Sequence, residues 1–194
     1  MKKAEKTRLY ILEKAFDLIY ENGYQATSID NIIEKTDVTK GAFYYHFKTK
    51  EEMGLAMIDE VIRPRFVSNL ITPIKGFSDP VTGIYETIKT FMMEVSETQL
   101  RNGCPTNNLI QEMAPINTKF KEALRSILDL WQQEIVGVLS EAAKQDRIKN
   151  QNFQPVAAFI VASYEGTRGL GKLHNSYAYY QNYLGQLKAY LGSL

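Results

Sequence analysis

With 194 residues, 44% of them hydrophobic and 23% charged, the chain carries enough apolar material for one large or two small globular domains. A formal net charge of +1 excludes a polycation that coats nucleic acid regardless of sequence, and no apolar run reaches the roughly 18 residues that a membrane-spanning helix requires. One cysteine, Cys104, and two histidines exclude an internal disulfide and leave little material for a structural zinc site, so the expectation is a cytoplasmic protein with no cofactor.

The first segment, MKKAEKTRLYILEK, is charged and lacks the apolar stretch of a signal peptide. Across residues 7–22, Leu9, Leu12, Ala15, Phe16 and Ile19 recur at steps of three and four, the stripe of an amphipathic helix, and Asn22-Gly23 closes it with a glycine suited to a left-handed cap. Thr27-Ser28-Ile29-Asp30 has capping-box spacing with Thr27 as the cap, opening a short helix with Ile29, Ile32 and Ile33 inward. Asp37-Val38 makes a tight link, and Thr39 caps a third helix that runs through Phe47. Thr49-Lys50-Glu51-Glu52 is a further capping box, opening a longer helix with Met53, Ala56, Met57 and Val61 inward and Pro64 near its end.

Two short helices joined by a tight turn form a helix-turn-helix, whose second helix enters the major groove of DNA. That second helix carries the run Phe43-Tyr44-Tyr45-His46-Phe47. Phe43 and Phe47 are four apart and share one face, expected to pack on Phe16, Ile19 and Ile32. Tyr44, Tyr45 and His46 then point elsewhere, where hydroxyl and imidazole groups can donate to phosphate oxygens and rings can rest on sugars and thymine methyls. Lys40, Lys48 and Lys50 supply cations, Lys50 falling at a helix N-terminus, and Gly41 and Ala42 are small enough to let the helix sit deep in a groove. Residues 1–50 hold nine Lys/Arg against seven Asp/Glu, an asymmetry too weak to indicate DNA by itself. Position carries the argument.

The stretch TSIDNIIEKTDVTKGAFYYHFKTKEEM resembles the DNA-binding region of the tetracycline-repressor (TetR) family of bacterial transcription regulators. The resemblance covers roughly residues 7–57, with Gly23-Tyr24, Thr27-Ser28, Ile32, Val38-Thr39-Lys40-Gly41, Tyr44-Tyr45-His46-Phe47 and Lys50-Glu51 in the family's order and spacing. It implies that Thr27, Tyr44, His46 and Lys50 hold backbone phosphates. It also implies that Thr39, Lys40, Gly41, Ala42 and Tyr45 face bases or the adjacent sugars.

Helical patterning continues to the end of the chain, and the fold expected is all-α, with about nine helices. Asp79-Pro80 starts a helix with Ile84, Tyr85, Ile88, Phe91 and Met92 on a wide apolar face. Further helices are expected over 105–113, 117–146, 155–172 and 176–191, giving a DNA-binding domain at 1–50 and a ligand-binding and dimerisation domain at 51–194. The last two helices set small residues beside large ones, which permits close approach, and Phe159, Ser163, Gly166, Thr167, Leu170, Tyr180, Leu184 and Leu187 are the expected dimer interface. By resemblance these helices form a four-helix bundle between two subunits.

An inducer pocket is expected from Tyr85, Phe91, Met92, Met93, Met113, Phe120 and Trp131, flexible or aromatic residues suited to a mostly apolar cavity. Gly103-Cys104-Pro105 is similar to a branch of the family in which this motif opens the sixth helix; Asn108, Gln111 and Glu112 just beyond it can hydrogen-bond a ligand. The function expected is a repressor dimer released from a palindromic double-stranded DNA operator by a small-molecule inducer that the sequence does not identify. The alternative is a sensor of electrophiles or oxidants acting through Cys104, whose place near a helix N-terminus favours thiolate. An enzyme is a remote reading, since the chain lacks Gly-x-Ser-x-Gly, His-Glu-x-x-His and any phosphate-cradling glycine loop preceded by a strand.

Overall fold

A computed structural model describes residues 3–149 and 151–194, and among these every regular element is helical. α1 (Lys3–Asn22) starts before its apolar stripe and buries Ile11, Leu12, Ala15, Phe16 and Ile19. Gly23, at φ +90°, turns the chain away and donates its N–H to Ile19 O at 2.8 Å, a conformation that favours glycine. α2 (Ile29–Thr36) is capped by Ser28, not by Thr27. Ser28 Oγ accepts from Asn31 N at 3.1 Å, and Asn31 Oδ1 accepts from Ser28 N at 2.9 Å, so asparagine closes the box one position later than expected. Thr27 is instead 2% exposed, its hydroxyl donating to Gly23 O at 2.7 Å.

Asp37, at φ +54°, ends α2, and Thr39 caps α3 (Lys40–His46) by accepting from Ala42 N at 3.1 Å. α4 (Lys50–Met57) is capped by Thr49, whose hydroxyl accepts from Glu52 N at 3.0 Å; the Glu52 carboxylate reaches past the cap to Lys48 N at 2.8 Å. The helical backbone does not stop at Pro64. A π-turn (Ile58–Ile62), α5 (Arg63–Phe66), a second π-turn (Val67–Ile71) and a 3₁₀ turn (Thr72–Gly76) follow in succession. A proline ring clashes with the carbonyl four residues back, and the extra residue in a π-turn moves that carbonyl aside.

The remaining elements are α6 (Pro80–Glu94), α7 (Glu97–Asn102), α8 (Pro105–Met113), α9 (Thr118–Lys144), α10 (Gln154–His174) and α11 (Ala178–Leu191). α7 was not expected; its signal is the Ser96–Gln99 capping box, in which Ser96 N donates to Gln99 Oε1 at 2.8 Å. With α4 and α5 taken as one helical run and α7 set aside, the nine expected helices are present among the described residues.

The chain divides into two compact units. The first comprises residues up to Arg65 with Pro105–Arg125; the second comprises Phe66–Cys104 with Ser126–Leu194. α4, α8 and the first turns of α9 thus fold with the N-terminal head, beyond the expected boundary at residue 50. In the first unit the fully buried Ile11, Leu12, Ile32, Phe43, Phe47, Met53, Met57 and Phe120 form the core. Tyr24 meets Phe120 edge-on at 4.8 Å. In the second unit Trp131 is fully buried against Phe66 and Tyr164, with ring centroids 5.4 and 5.1 Å away.

Gly54 is a close-approach position: a Cβ there would lie 2.6 Å from Phe120 Cζ and 2.7 Å from Tyr24 Cε2, both buried rings. Gly54→Ala is expected to destabilise the protein by about 1–3 kcal/mol in urea melts, the ordinary range for overpacking. Gly137→Ala, with open space around it in α9, should be neutral or stabilise by up to about 1 kcal/mol. Equal effects at both positions would contradict this packing.

Candidate nucleic-acid interface

α3 divides its aromatic residues as the spacing predicts. Phe43 and Phe47 are fully buried, their ring centroids 5.8 Å apart, whereas Tyr44 is 37% and Tyr45 72% exposed. His46 lies half-buried against Tyr45, edge-on at 5.0 Å. Burial, and then the Arg8 charge, hold the His46 imidazole below its ordinary 6.5, so at neutral pH the ring is uncharged with one N–H to donate. Nothing within the protein lies near a Cβ built at Gly41 except Thr39 Oγ1 at 4.0 Å, so the fold itself does not require glycine there. An exposed tyrosine, an exposed glycine and the exposed Lys40 therefore share one short helix, with most of the Tyr45 side chain open to solvent.

The cations around this helix are individually held. Lys40 Nζ pairs with Asp30 at 3.1 Å, Lys48 Nζ donates to Tyr44 O at 2.9 Å, and Lys50 Nζ donates to Gln25 O at 3.3 Å while lying 4.4 Å over the Tyr24 ring. Arg8 was missed by the sequence reading. Its guanidinium lies 4.4 Å over the Phe47 ring, donates to His46 O at 3.2 Å and is held by Glu60 at 3.1 Å, fixing the C-terminal end of α3. The available signal is a single arginine on the margin of the α1 apolar stripe, one turn before Leu12. Thr27, predicted as a phosphate contact, is buried with its hydroxyl already used, so it orders the turn into α2 and offers no hydroxyl outward.

The predicted interface residues of the last two helices separate into two groups. Tyr180, Leu184 and Leu187 are buried within the second unit and close its own core, α11 packing Tyr180 against Gly171 of α10. Phe159, Gly166 and Leu170 are exposed and Ser163 and Thr167 half-exposed on α10, joined by Leu173 at 74% exposure, which was not foreseen. The Ser163 and Thr167 hydroxyls donate to Phe159 O at 2.6 Å and Ser163 O at 2.8 Å, so this outward face needs no further polar partner.

The predicted pocket residues are divided between the two units, with Phe120 fully buried in the first and Met93 exposed in the second. Met92 and Trp131 are fully buried in the second unit, where Tyr85 is half-buried beneath Lys89 and Lys188. Asn108, Gln111, Glu112 and Met113 belong to the first unit. Met113 is buried, and Gln111 is exposed and donates to Asn107 at 3.3 Å. Glu112, expected to meet a ligand, accepts instead from the backbone N–H groups of Tyr24 at 2.8 Å and Gln25 at 2.6 Å. A cleft of about 290 Å³ in the second unit is lined by residues that include Pro73, Phe77, Thr87 and Phe91, the last of these a member of the predicted set. Cys104 is 6% exposed and its thiol donates to Glu165 Oε1 at 3.4 Å. No helix among the described residues is long and apolar enough to cross a membrane.

Comparison with known proteins agrees with this geometry. Residues 11–57 match the family described as bacterial regulatory proteins, tetR family, and residues 80–187 match the tetracyclin repressor-like C-terminal domain. The chain is similar to an HTH-type transcriptional regulator encoded in the lacX 3' region of Lactococcus lactis, 30% identical over 162 residues that cover 83% of this chain and 81% of the relative. It is 25% identical to the HTH-type transcriptional repressor DhaR of a Mycobacterium species, over 82% of this chain and 79% of the relative. Among solved structures, a TetR transcriptional regulator from Chloroflexus aurantiacus superposes with a TM-score of 0.83 at 25% identity, covering 99% of this chain and 97% of the other.

The carboxyl beside Cys104 yields a pH prediction. Burial pushes Glu165 from its ordinary 4.5 up to about 7, against the smaller opposing effects of the Cys104 hydrogen bond and the Arg168 charge. A raised carboxyl favours the folded state while protonated, so its contribution is complete below about pH 4.5 and is lost as pH rises through 7. Glu165→Gln, which keeps the neutral form, should gain stability relative to wild type by about 3 kcal/mol in urea melts between pH 4.5 and pH 8. A constant difference between the two across that range would contradict the assignment.

Proposed function

Because the chain belongs to the TetR family of DNA-binding transcriptional regulators, we propose that it is a homodimeric repressor that holds a palindromic operator through two α3 helices and releases it on binding a small molecule. The observation that carries this reading is the outward face of α3, where Tyr45 stands 72% exposed beside a glycine that the fold does not need. Thr39, Lys40, Gly41, Ala42 and Tyr45 meet base edges and sugars, and Tyr44, His46 and Lys50 meet phosphates. Thr27 acts through the turn it orders.

A seven-residue helix reads few base pairs, so affinity and specificity require two of them, about 34 Å apart on successive turns of one DNA face. The second copy is recruited through the outward face of α10, Phe159, Ser163, Gly166, Thr167 and Leu170 extended by Leu173. Small residues there let two such helices approach closely, and the hydroxyls are already satisfied within the helix. The small molecule acts on the second unit, where Tyr85, the flexible Met92 and the Trp131 ring part to admit it. A shift of ~1–3 kcal/mol between the two DNA-binding states suffices for a useful switch.

Selection of bound sequences from random duplex DNA by the purified protein is expected to recover an inverted repeat; recovery of unrelated sequences from folded protein would overturn the reading. On that operator, Tyr44→Ala should weaken binding to all sequences alike, whereas Lys40→Ala and Tyr45→Ala should also alter base preference. Gly41→Ala separates fold from function. It should leave stability unchanged or raise it by up to about 1 kcal/mol, because alanine is the better helix former, while operator affinity falls at least about tenfold. Thermal melting and fluorescence anisotropy read the two effects, and undiminished affinity would place the operator elsewhere.

A further inference from the structure

The carboxylate of Glu112 lies at the C-terminal end of α8, yet both of its oxygens are committed to the head. Oε2 accepts from Tyr24 N at 2.8 Å and Oε1 from Gln25 N at 2.6 Å, a pair of short charge-assisted bonds to successive backbone amides. Gly23 is part of the same seat: at φ +90°, a Cβ on it would stand 3.4 Å from each carboxylate oxygen. The turn so held leads directly into α2. Tyr24 O accepts from Thr27 N at 3.3 Å, Gly23 O accepts the Thr27 hydroxyl at 2.7 Å, and Ser28 then caps the helix.

Lys50 closes the arrangement. Its ammonium donates to Gln25 O at 3.3 Å and rests 4.4 Å over the Tyr24 ring, so the carbonyl and the ring that orient it both belong to residues whose N–H groups Glu112 holds. Burial lowers the Lys50 pKa, and the nearby Glu112 charge opposes that, favouring the ammonium form. A second carboxylate runs in the other direction: Glu51, one residue after Lys50, accepts from Asn117 Nδ2 at 2.7 Å and Lys119 Nζ at 2.6 Å. The segment from the end of α8 to the start of α9 is therefore tied to the turn before α2, which Thr27 orders, and to the first turn of α4, which carries Lys50.

We infer that Glu112 is a positioning residue for DNA binding, holding the Gly23–Gln25 turn and the Lys50 side chain in the arrangement that meets a phosphate. The inference rests on Lys50 being a phosphate contact, and the experiment separates the two. Operator affinity of the full-length protein is measured as a function of salt for wild type, Lys50→Ala, Glu112→Gln and the double variant. Each protein–phosphate ion pair contributes about 0.9 to the slope of log K against log salt for duplex DNA. Lys50→Ala should lower that slope by about one per operator half-site. Glu112→Gln should lower it by a similar amount and weaken binding about tenfold at near-physiological salt, because a misplaced ammonium no longer meets its phosphate.

In the Lys50→Ala background the Glu112 substitution should weaken binding less than about threefold. A lesion that merely destabilises the fold lowers the active fraction and leaves the slope unchanged. If Glu112→Gln fails to fold, Glu112→Asp, one methylene too short to reach both amides, is read by the same slope. A wild-type slope in either folded variant, or losses that simply multiply in the double variant, would overturn the positioning role. An unchanged slope in Lys50→Ala alone removes the phosphate contact on which the inference rests and overturns it at that step. Failure of the wild-type protein to select any operator would instead count against the repressor reading.

Discussion

Burial of Phe43 and Phe47 on one face of α3 is the constraint on which the head depends. A helix of seven residues has no stability of its own in water, since nucleation consumes most of what its few hydrogen bonds return. It exists because two aromatic rings dock into a core that already holds Ile11, Leu12, Phe16 and Ile32, and because Thr39 caps its start. Once those rings are fixed, helical geometry leaves Tyr44 and Tyr45 no inward direction. The exposure of a surface rich in rings, glycine and lysine follows from the packing that makes the helix possible. Arg8 strengthens the same docking by stacking on Phe47 and taking the carbonyl of His46.

The second dependency is ionic and crosses long sequence distances. Carboxylates at Glu112, Glu51 and Glu60 each fasten one segment of the first unit to another, through backbone amides, an asparagine with a lysine, and an arginine respectively. Exposed ion pairs contribute little to stability, and these are partly exposed. Their effect is geometric: they fix where α2, α3 and the start of α4 stand relative to one another, which is what reading a groove to within an ångström requires. α8 belongs to this arrangement by contact as well as by chain, so a change at α8 need not travel through α4 alone to reach the turn before α2.

Much of this was legible in the sequence where local rules decide the outcome. The periodicity of α1, the capping threonines at 39 and 49, the left-handed Gly23 and the division of the aromatic run all follow from spacing alone. Helical patterning along the whole chain gave the all-α class, and the family resemblance over residues 7–57 added the expected DNA contacts. Elsewhere tertiary context prevailed over local signals. Thr27 and Ser28 both fit a cap, and burial of Thr27 left the role to Ser28. Pro64 reads as a helix end, yet flanking π-turns carry helical backbone past it. Glu112 reads as a polar residue available to a ligand, because no sequence rule shows that two amide groups eighty-odd residues earlier require an acceptor. Tyr180, Leu184 and Leu187 share an apolar face with no mark to distinguish a protomer's core from a contact with a second copy.

The most direct measurement is hydrogen exchange of the intact protein, free and bound to a duplex carrying its selected inverted repeat. The account predicts slowed exchange concentrated in residues 39–50, extending to the turn at 23–28, as α3 enters the groove and the turn is pinned against phosphate. Protection located on α6 or α9 with residues 39–50 unchanged would contradict it, and would show that DNA meets this protein on a surface other than α3.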